Sequence, residues 1–151
     1  AAGPISSQKW IEKQMDILAQ KIPSEKIILG LGAYGRKWIK DSDGKRIEDI
    51  SYSQAIDQAK ISKSSIDFDD DFYNLHYSYH FKGSDYEPAS ENTIWFTDAA
   101  TMFNILRFSD DYRNAGTAMW RLGSEDPRIW NFYARDLSTN SLAKKPFNLL
   151  W

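Results

Sequence analysis

A glycine-rich segment at residues 26–38 carries side chains that could bind a ligand. Its sequence, KIILGLGAYGRKW, begins as a short continuous apolar run, which is typical of a strand buried on both faces. Glycines remove side chains where the strand ends, and Tyr34, Arg36 and Trp38 follow. A phenol, a guanidinium and an indole supply hydrogen-bond donors and flat apolar surfaces. The segment therefore predicts a ligand-binding strand end.

The letters GLGAYG within this segment match the G-x-G-x-x-G fingerprint of dinucleotide-binding proteins. That fingerprint works because its glycines open a helix whose N-terminus holds a pyrophosphate. Here the next residues, RKWIKDSDG, carry no apolar helical stripe and soon reach a turn. Glu48 or Asp49 lies near the required acidic position, but no second parallel strand leads into it. The pattern therefore argues against a dinucleotide cofactor.

A second candidate site lies at Trp120, which ends the predicted strand TAMW and is followed by Arg121. In parallel βα folds, ligand contacts gather at the carboxyl ends of strands, so this indole is either a ligand contact or a core residue. Asp126 is most simply the cap of a following helix, because Pro127 comes next. Trp95 and Trp130 are predicted to be core residues.

Metal and nucleophile chemistry find little support. The only histidines, His76 and His80, lie on a predicted strand, where they would be about 13 Å apart and exposed. The acidic run beginning at Asp67 resembles a calcium loop but lacks its glycine and terminal glutamate. There is no cysteine, and neither histidine lies near a convincing serine elbow. We therefore predict no metal site, no cofactor and no catalytic residue.

The elements around these sites alternate between helix and strand. An amphipathic helix is predicted at 7–22, with Trp10, Ile11, Met15, Leu18 and Ile22 on its apolar stripe. A buried strand follows at once, and the same order returns after residue 97 with a helix, TAMW and a helix beginning at Asp126. Two buried strands alternating with helices predict a parallel sheet.

Residues 37–96 have a different character and predict a small α+β insertion. The polar run KDSDGKR is predicted to be a hairpin tip, and Ser51 with Gln54 three residues later matches the pattern of a helix capping box. Residues 65–81 predict two antiparallel strands, which precede the strand TIWF. We divide the chain into 1–36 (helix and strand), 37–96 (insertion), 97–135 (helix, strand, last helix) and 136–151 (tail). The apolar end of the tail, Phe147, Leu149, Leu150 and Trp151, is suited to docking on a surface.

Composition limits the partners. A net charge of −2 with interspersed charges gives no basic stripe for nucleic acid, and no apolar run approaches the ~20 residues of a membrane span.

An eight-stranded βα barrel needs roughly 200 residues or more, so 151 residues are too few to close one. The fold class is therefore α/β.

The motifs resemble those of glycoside hydrolase family 18, the chitinase-like enzymes. KIILGLGAYGRKW is similar to the seventh barrel strand of that family, which ends in Tyr-Gly-Arg and a Trp, and an α+β insertion often follows it. NAGTAMWRLGSEDP is similar to the eighth strand. Three further segments are most similar to bacterial envelope and spore-type members of the family, some of which are fused to polysaccharide deacetylase or glycosyltransferase modules. These segments are WRLGSEDPRIW, IDFDDDFYNLHYSYH and IWFTDAATMFNIL. The resemblance runs from about Gly3 to Tyr133 and implies a partial TIM (β/α)8 barrel with an α+β insertion.

The resemblance also implies roles. Tyr34 and Arg36 would hydrogen-bond a sugar, Trp120 would stack under it, and Trp38 and Arg121 would line the same site. Arg121 stands where an acidic residue is common, which leaves N-acetylglucosamine polymers other than chitin open. The family's catalytic motif, D-x-x-D-x-D-x-E, does not occur in these residues.

We therefore expect the C-terminal portion of a polysaccharide hydrolase that is inactive by itself, or alternatively a catalytically inactive glycan-binding barrel module. Its partners would be an oligo- or polysaccharide and either the missing N-terminal half of the barrel or a second copy of the chain. The resemblance implies an extracellular or cell-envelope location.

Overall fold

The computed structural model describes residues 1–144. Its helices are α1 (Gln8–Ala19), α2 (Tyr52–Ser62), α3 (Ala99–Asp111) and α4 (Thr139–Lys144), with 3-10 segments at Ser24–Lys26 and Pro127–Asn131. Its strands are β1 (Ile28–Gly32), β2 (Gly35–Asp41), β3 (Gly44–Ile50), β4 (Asp67–Asp69), β5 (Asn74–Phe81), β6 (Ser90–Phe96) and β7 (Gly116–Trp120). The apolar tail residues Phe147, Leu149, Leu150 and Trp151 lie outside the described residues.

The two helix–strand units predicted from the sequence come together as one body. β1 and β7 pair in parallel, from Ile28 opposite Gly116 to Gly32 opposite Trp120. α1 and α3 pack against each other and share one apolar core with β1 and the segment after β7. The large buried members of this core are Ile11, Met15, Ile27, Leu31, Met102, Ile105, Leu106, Ile129, Phe132 and Leu137. The predicted parallel sheet is therefore confirmed.

The insertion is a five-stranded antiparallel sheet in the order β3-β2-β6-β5-β4. α2 packs on one face, where Tyr77, Ile94 and Phe96 are buried against its alanines. The predicted capping box is present, because Ser51 Oγ accepts from the Gln54 N–H while the Gln54 side chain accepts from the Ser51 N–H. The predicted hairpin tip joins β2 to β3, and Gly44 takes a positive φ there.

Strand alternation places the remaining side chains of this sheet on its other face, away from α2. Arg36 and Trp38 of β2 lie on this face, with Trp95 and Thr93 opposite them on β6. His76 of β5 lies next to Trp95. We call this the open face of the insertion sheet.

A buried carboxylate joins the two parts of the molecule. Asp126 has no exposed surface, and its Oδ2 accepts the N–H of Ala99 at the start of α3 at 2.9 Å. The same carboxylate binds the guanidinium of Arg128, with 2.6 Å between Nη2 and Oδ2. Arg128 Nη2 also donates to the Tyr52 hydroxyl at the start of α2, 2.9 Å away. The loop after β7 is thereby tied to α3 and to the insertion.

Three local predictions were wrong. α1 begins at Gln8 and ends at Ala19, and of its predicted stripe only Ile11 and Met15 are buried, while Trp10 is 57% exposed. The segment after Asp126 is a 3-10 helix, although Asp126 caps it as predicted. Trp130 is not a core residue, because it is 49% exposed and its indole Nε1–H donates to Glu125.

Candidate binding site

The two predicted strand ends meet at one edge of the parallel sheet. Gly32, the last residue of β1, lies opposite Trp120, the last residue of β7. The N–H of Ala33 donates to the carbonyl oxygen of Trp120 at 2.7 Å, which extends the pairing one residue further. The ring of Tyr34 lies beside Gly32, since a Cβ at Gly32 would be 3.6 Å from Tyr34 Cε1. Tyr34 and Trp120 therefore belong to one region of the surface.

β2 carries the chain from this edge into the insertion. Gly35 makes the transition possible, because a Cβ there would lie 2.6 Å from both Phe96 Cβ and the Trp95 carbonyl oxygen. Arg36 follows, on the open face, and its Nε lies 3.4 Å from Asp49 Oδ1. The guanidinium is thus held over the sheet next to the strand ends.

An aromatic cluster adjoins Arg36 on the open face. The His76 ring stacks on Trp95, with centroids 4.5 Å apart, and Phe72 meets the same indole edge-on at 5.6 Å. Trp95 is only 7% exposed, so its prediction as a buried residue is confirmed. His76 is half-buried, whereas His80 is exposed as predicted.

Trp38 lies two residues beyond Arg36, on the same face. It stands between Thr93 of β6 and Ile47 of β3 and lines a cavity of about 440 Å³. Its Nε1–H is inaccessible to solvent and has no acceptor among the described residues. Arg36 and Trp38 therefore lie on one surface of the insertion sheet.

The end of β7 presents an exposed indole and a guanidinium. Trp120 is 68% exposed, so its alternative prediction as a core residue is wrong. Arg121 is also exposed, and its Nε donates to Ser124 Oγ at 3.2 Å. Glu125 steadies this loop by accepting from the Gly123 N–H at 2.6 Å and from the Trp130 indole at 3.2 Å.

The carboxyl groups of altered pKa serve as structural acceptors. Burial by itself would raise the pKa of Asp126, but hydrogen bonds from the Arg128 side chain and from the N–H groups of Arg128 and Ala99 hold it below its ordinary value. Burial raises the pKa of Asp110, whose Oδ2 accepts the Leu137 N–H. Asp126 caps the 3-10 segment Pro127–Asn131, and Asp110, at the end of α3, holds the backbone of Leu137.

No group of three or more metal-binding side chains occurs within residues 1–144. None of the helices in this range has the length and apolar character needed to cross a membrane. The arrangement at the strand ends offers aromatic stacking surfaces and hydrogen-bond donors.

Comparison with known proteins identifies similar chains. No family model matches the sequence. The uncharacterized glycosylase YvbX of Bacillus subtilis is 24% identical over 129 residues, which cover 85% of this chain and 36% of YvbX. A second Bacillus subtilis glycosylase is 26% identical, and 28% of its length is covered. The chain therefore spans about a third of the length of the curated relatives that it matches.

Solved structures of chitinases and spore enzymes share the fold. The chitinase of Chromobacterium violaceum superposes with a TM-score of 0.72 at 22% identity, over 86% of this chain and 38% of its own. The spore cortex-lytic enzyme SleL of Bacillus megaterium gives 0.71 at 23% identity, over 91% and 32%. A class V chitinase from Nicotiana tobaccum, solved in complex with NAG4, gives 0.53 at 14% identity, over 72% and 33%.

These likenesses fix the fold class as the last helix–strand units of a partial (β/α)8 barrel with an α+β insertion. The curated relatives are named as glycosylases and the structural neighbours as chitinases and spore cortex-lytic enzymes, so this chain is similar to about a third of each of these chitinase-like proteins.

Proposed function

We propose that this chain supplies part of the sugar-binding wall of a family 18-type hydrolase that acts on N-acetylglucosamine-containing polysaccharide. The observation that carries the proposal is the meeting of the ends of β1 and β7, which brings Tyr34 and Trp120 to one edge. In a parallel βα barrel, ligands bind at this end of the strands. The proposal follows the bacterial envelope and spore-type members that the sequence resembles.

Each side chain has a role suited to a sugar. The exposed indole of Trp120 offers a flat apolar surface to the C–H face of a pyranose ring. Tyr34, Arg36 and Arg121 offer a hydroxyl and guanidinium N–H groups to sugar oxygens. None of these groups is a carboxylic acid, so we assign them to sugar binding and not to proton donation.

Calorimetric titration of the full chain with N-acetylglucosamine oligosaccharides tests the proposal. We expect Trp120→Ala to weaken binding about tenfold, which corresponds to about 1.4 kcal/mol, and Tyr34→Phe to weaken it by a smaller factor. Trp10→Ala is the matched control, because Trp10 is similarly exposed but lies on α1. Equal affinities for the wild type and the Trp120 and Tyr34 variants would contradict these assignments.

A second measurement addresses chemistry. We expect no release of reducing ends when the chain is incubated with the same oligosaccharides, because the acidic motif is absent from these residues. Hydrolysis by this chain would show that it contains a proton donor of its own. A longer protein that binds but does not cut would instead favour the glycan-binding module.

A further inference from the structure

A cleft at the start of α1 is lined by none of the residues that we assign to sugar binding. It lies between residues 3–7, Trp10 of α1 and Phe72, and its volume is about 290 Å³. Phe72 belongs to the turn that joins β4 to β5, so one wall of the cleft comes from the helix–strand units and the other from the insertion. A ligand in this cleft would therefore contact both parts of the molecule.

Exposed aromatic rings form the walls of this cleft and the surface beside it. Trp10 is 57% exposed, and Phe72 is 41% exposed. Tyr73 and Phe68, which are also exposed, continue the surface, with their ring centroids 6.1 Å apart. Single exposed aromatic residues are common, but several that lie together mark a contact site for another molecule.

The turn between β4 and β5 supplies negative charge next to these rings. Its sequence, DFDDDFY, contains the four carboxylates of Asp67, Asp69, Asp70 and Asp71. Asp69 shapes the turn, because its Oδ1 accepts two backbone N–H groups, at 2.9 and 2.8 Å. Asp71 pairs with Lys9, whereas Asp67 and Asp70 are exposed and have no cationic partner within residues 1–144. The turn therefore carries negative charge that the described chain does not compensate.

Lys9 shows how a cation is bound at this surface. Its Nζ lies 3.6 Å from Asp71 Oδ1 and 5.4 Å from the centroid of the Tyr73 ring. A carboxylate and an aromatic face thus hold one ammonium group together, which combines an ion pair with a cation–π contact. Asp70 and Phe72 offer the same combination of carboxylate and ring in the same turn. This second combination is available to a cation from another molecule.

We propose that the cleft binds an extended segment of a partner protein in which lysine or arginine side chains alternate with apolar ones. An apolar side chain of the partner enters between Trp10 and Phe72, and a neighbouring cation contacts Asp70. Exposed ion pairs contribute little free energy, so the rings supply most of the affinity and the carboxylates select the sign of the partner's charge. A neutral glycan would leave these carboxylates uncompensated, which favours a cationic protein segment. The proposal goes beyond the sugar site and does not depend on it.

Fluorescence anisotropy with dye-labelled peptides tests the proposal on the full chain. One probe alternates leucine with lysine, and two others alternate leucine with serine or with glutamate. We expect the lysine peptide to bind about tenfold more tightly than the serine peptide, and the glutamate peptide to bind most weakly. Raising NaCl from about 50 to about 300 mM should weaken binding of the lysine peptide about fivefold, because salt screens exposed charges. Equal affinities for the three peptides, or no binding of the lysine peptide, would overturn the proposal.

Two variants locate the contact, and both replace exposed side chains, so the apolar cores remain intact. Trp10→Ala should weaken binding of the lysine peptide about fivefold by removing one wall of the cleft, and Asp70→Asn about threefold by removing a charge. Tyr86→Ala and Asp85→Asn are the matched controls, because they change an exposed ring and an exposed carboxylate in the loop between β5 and β6. Each control should stay within about twofold of the wild type. Full affinity in both Trp10→Ala and Asp70→Asn would overturn the site.

Titration of the same variants with N-acetylglucosamine oligosaccharides separates this cleft from the sugar site. We expect Trp10→Ala to leave oligosaccharide affinity unchanged while it weakens binding of the lysine peptide. The reverse pattern, in which Trp10→Ala weakens the oligosaccharide and not the peptide, would assign the cleft to glycan and overturn the proposal. Absence of oligosaccharide binding by the wild type would contradict the proposed function alone.

Discussion

Replacing Asp126 with alanine should destabilise the protein more than the removal of any other single carboxylate that we describe. The substitution removes the acceptor of the Ala99 N–H at 2.9 Å and of the Arg128 N–H at 3.1 Å. It also removes the partner of the Arg128 guanidinium, whose Nε lies 3.0 Å from Asp126 Oδ1. α3 keeps its own cap, because Asp98 accepts the Thr101 N–H. The damage is therefore concentrated at the junction of β7, α3 and the insertion.

The size of the loss in unfolding free energy follows from the burial of Asp126 and from the number of its hydrogen-bond partners. Breaking a fully buried ion pair by removing one partner costs about 3–5 kcal/mol. The Arg128 side chain is 43% exposed, so its guanidinium can be rehydrated, and we expect about 3 kcal/mol. For a domain of this size, that corresponds to a fall in Tm of about 6–12 °C. Asp126→Asn keeps an acceptor oxygen but no charge and should cost about half as much.

Urea unfolding followed by circular dichroism measures this change, with Asp57→Ala as control because Asp57 forms an exposed pair with Lys60. The pH dependence gives an independent check. The pKa of Asp126 is lowered in the folded protein, so its contribution is present above the ordinary carboxyl pKa of 3.8 and is lost as pH falls through the lowered value. The difference between wild type and Asp126→Ala should thus be constant from pH 5 to 8 and shrink in acid. A difference below 1 kcal/mol, or one that grows in acid, would refute this reasoning.

Three further outcomes are expected from the same unfolding measurement. Gly35→Ala should cost at least about 2 kcal/mol, because its Cβ would meet the backbone of β6 at 2.6 Å, whereas Gly30→Ala has open space and should be neutral or stabilising; equal effects would contradict the close approach. Tyr77→Phe should cost about 1 kcal/mol, because the Tyr77 hydroxyl donates to a backbone carbonyl of α2 at 2.5 Å, while Tyr79→Phe should change little. Asp110→Asn should raise the urea midpoint at pH 7, because burial raises the pKa of Asp110 and the charged carboxylate therefore destabilises the folded protein at that pH. This gain in stability should vanish below the ordinary pKa of 3.8, where the carboxyl group is protonated in both states. A lower urea midpoint at pH 7 would contradict this sign.

Much of the fold follows from local signals in the sequence. The capping box at Ser51 needs only a serine and a glutamine three residues apart, and the Asp126–Pro127 pair likewise caps its helix. The apolar run before Gly30 and the strand TAMW predict a parallel sheet because helices separate them along the chain. These elements are specified within a few residues, so the pattern suffices.

Other features depend on contacts between distant segments. The stacking of His76 on Trp95 requires the register of β5 against β6, which alternation alone does not determine. Trp130 and Trp10 are large apolar residues at the surface, and their exposure depends on which neighbouring elements cover them. The cavity beside Trp38 is of the same kind, because its walls come from three strands and the start of the chain.

The insertion enters and leaves the barrel unit at one pair of residues. Gly35 at the start of β2 lies opposite Phe96 at the end of β6, so the two chain crossings are neighbours on paired strands about 5 Å apart. The main chain of the insertion thus enters and leaves through one neck, while the hydrogen bond of 2.9 Å from Arg128 to Tyr52 ties the insertion to the loop after β7 a second time. A short turn from Ala33 to Thr97 would therefore remove the open face together with Tyr34, Arg36 and the Tyr52 hydroxyl that Arg128 contacts.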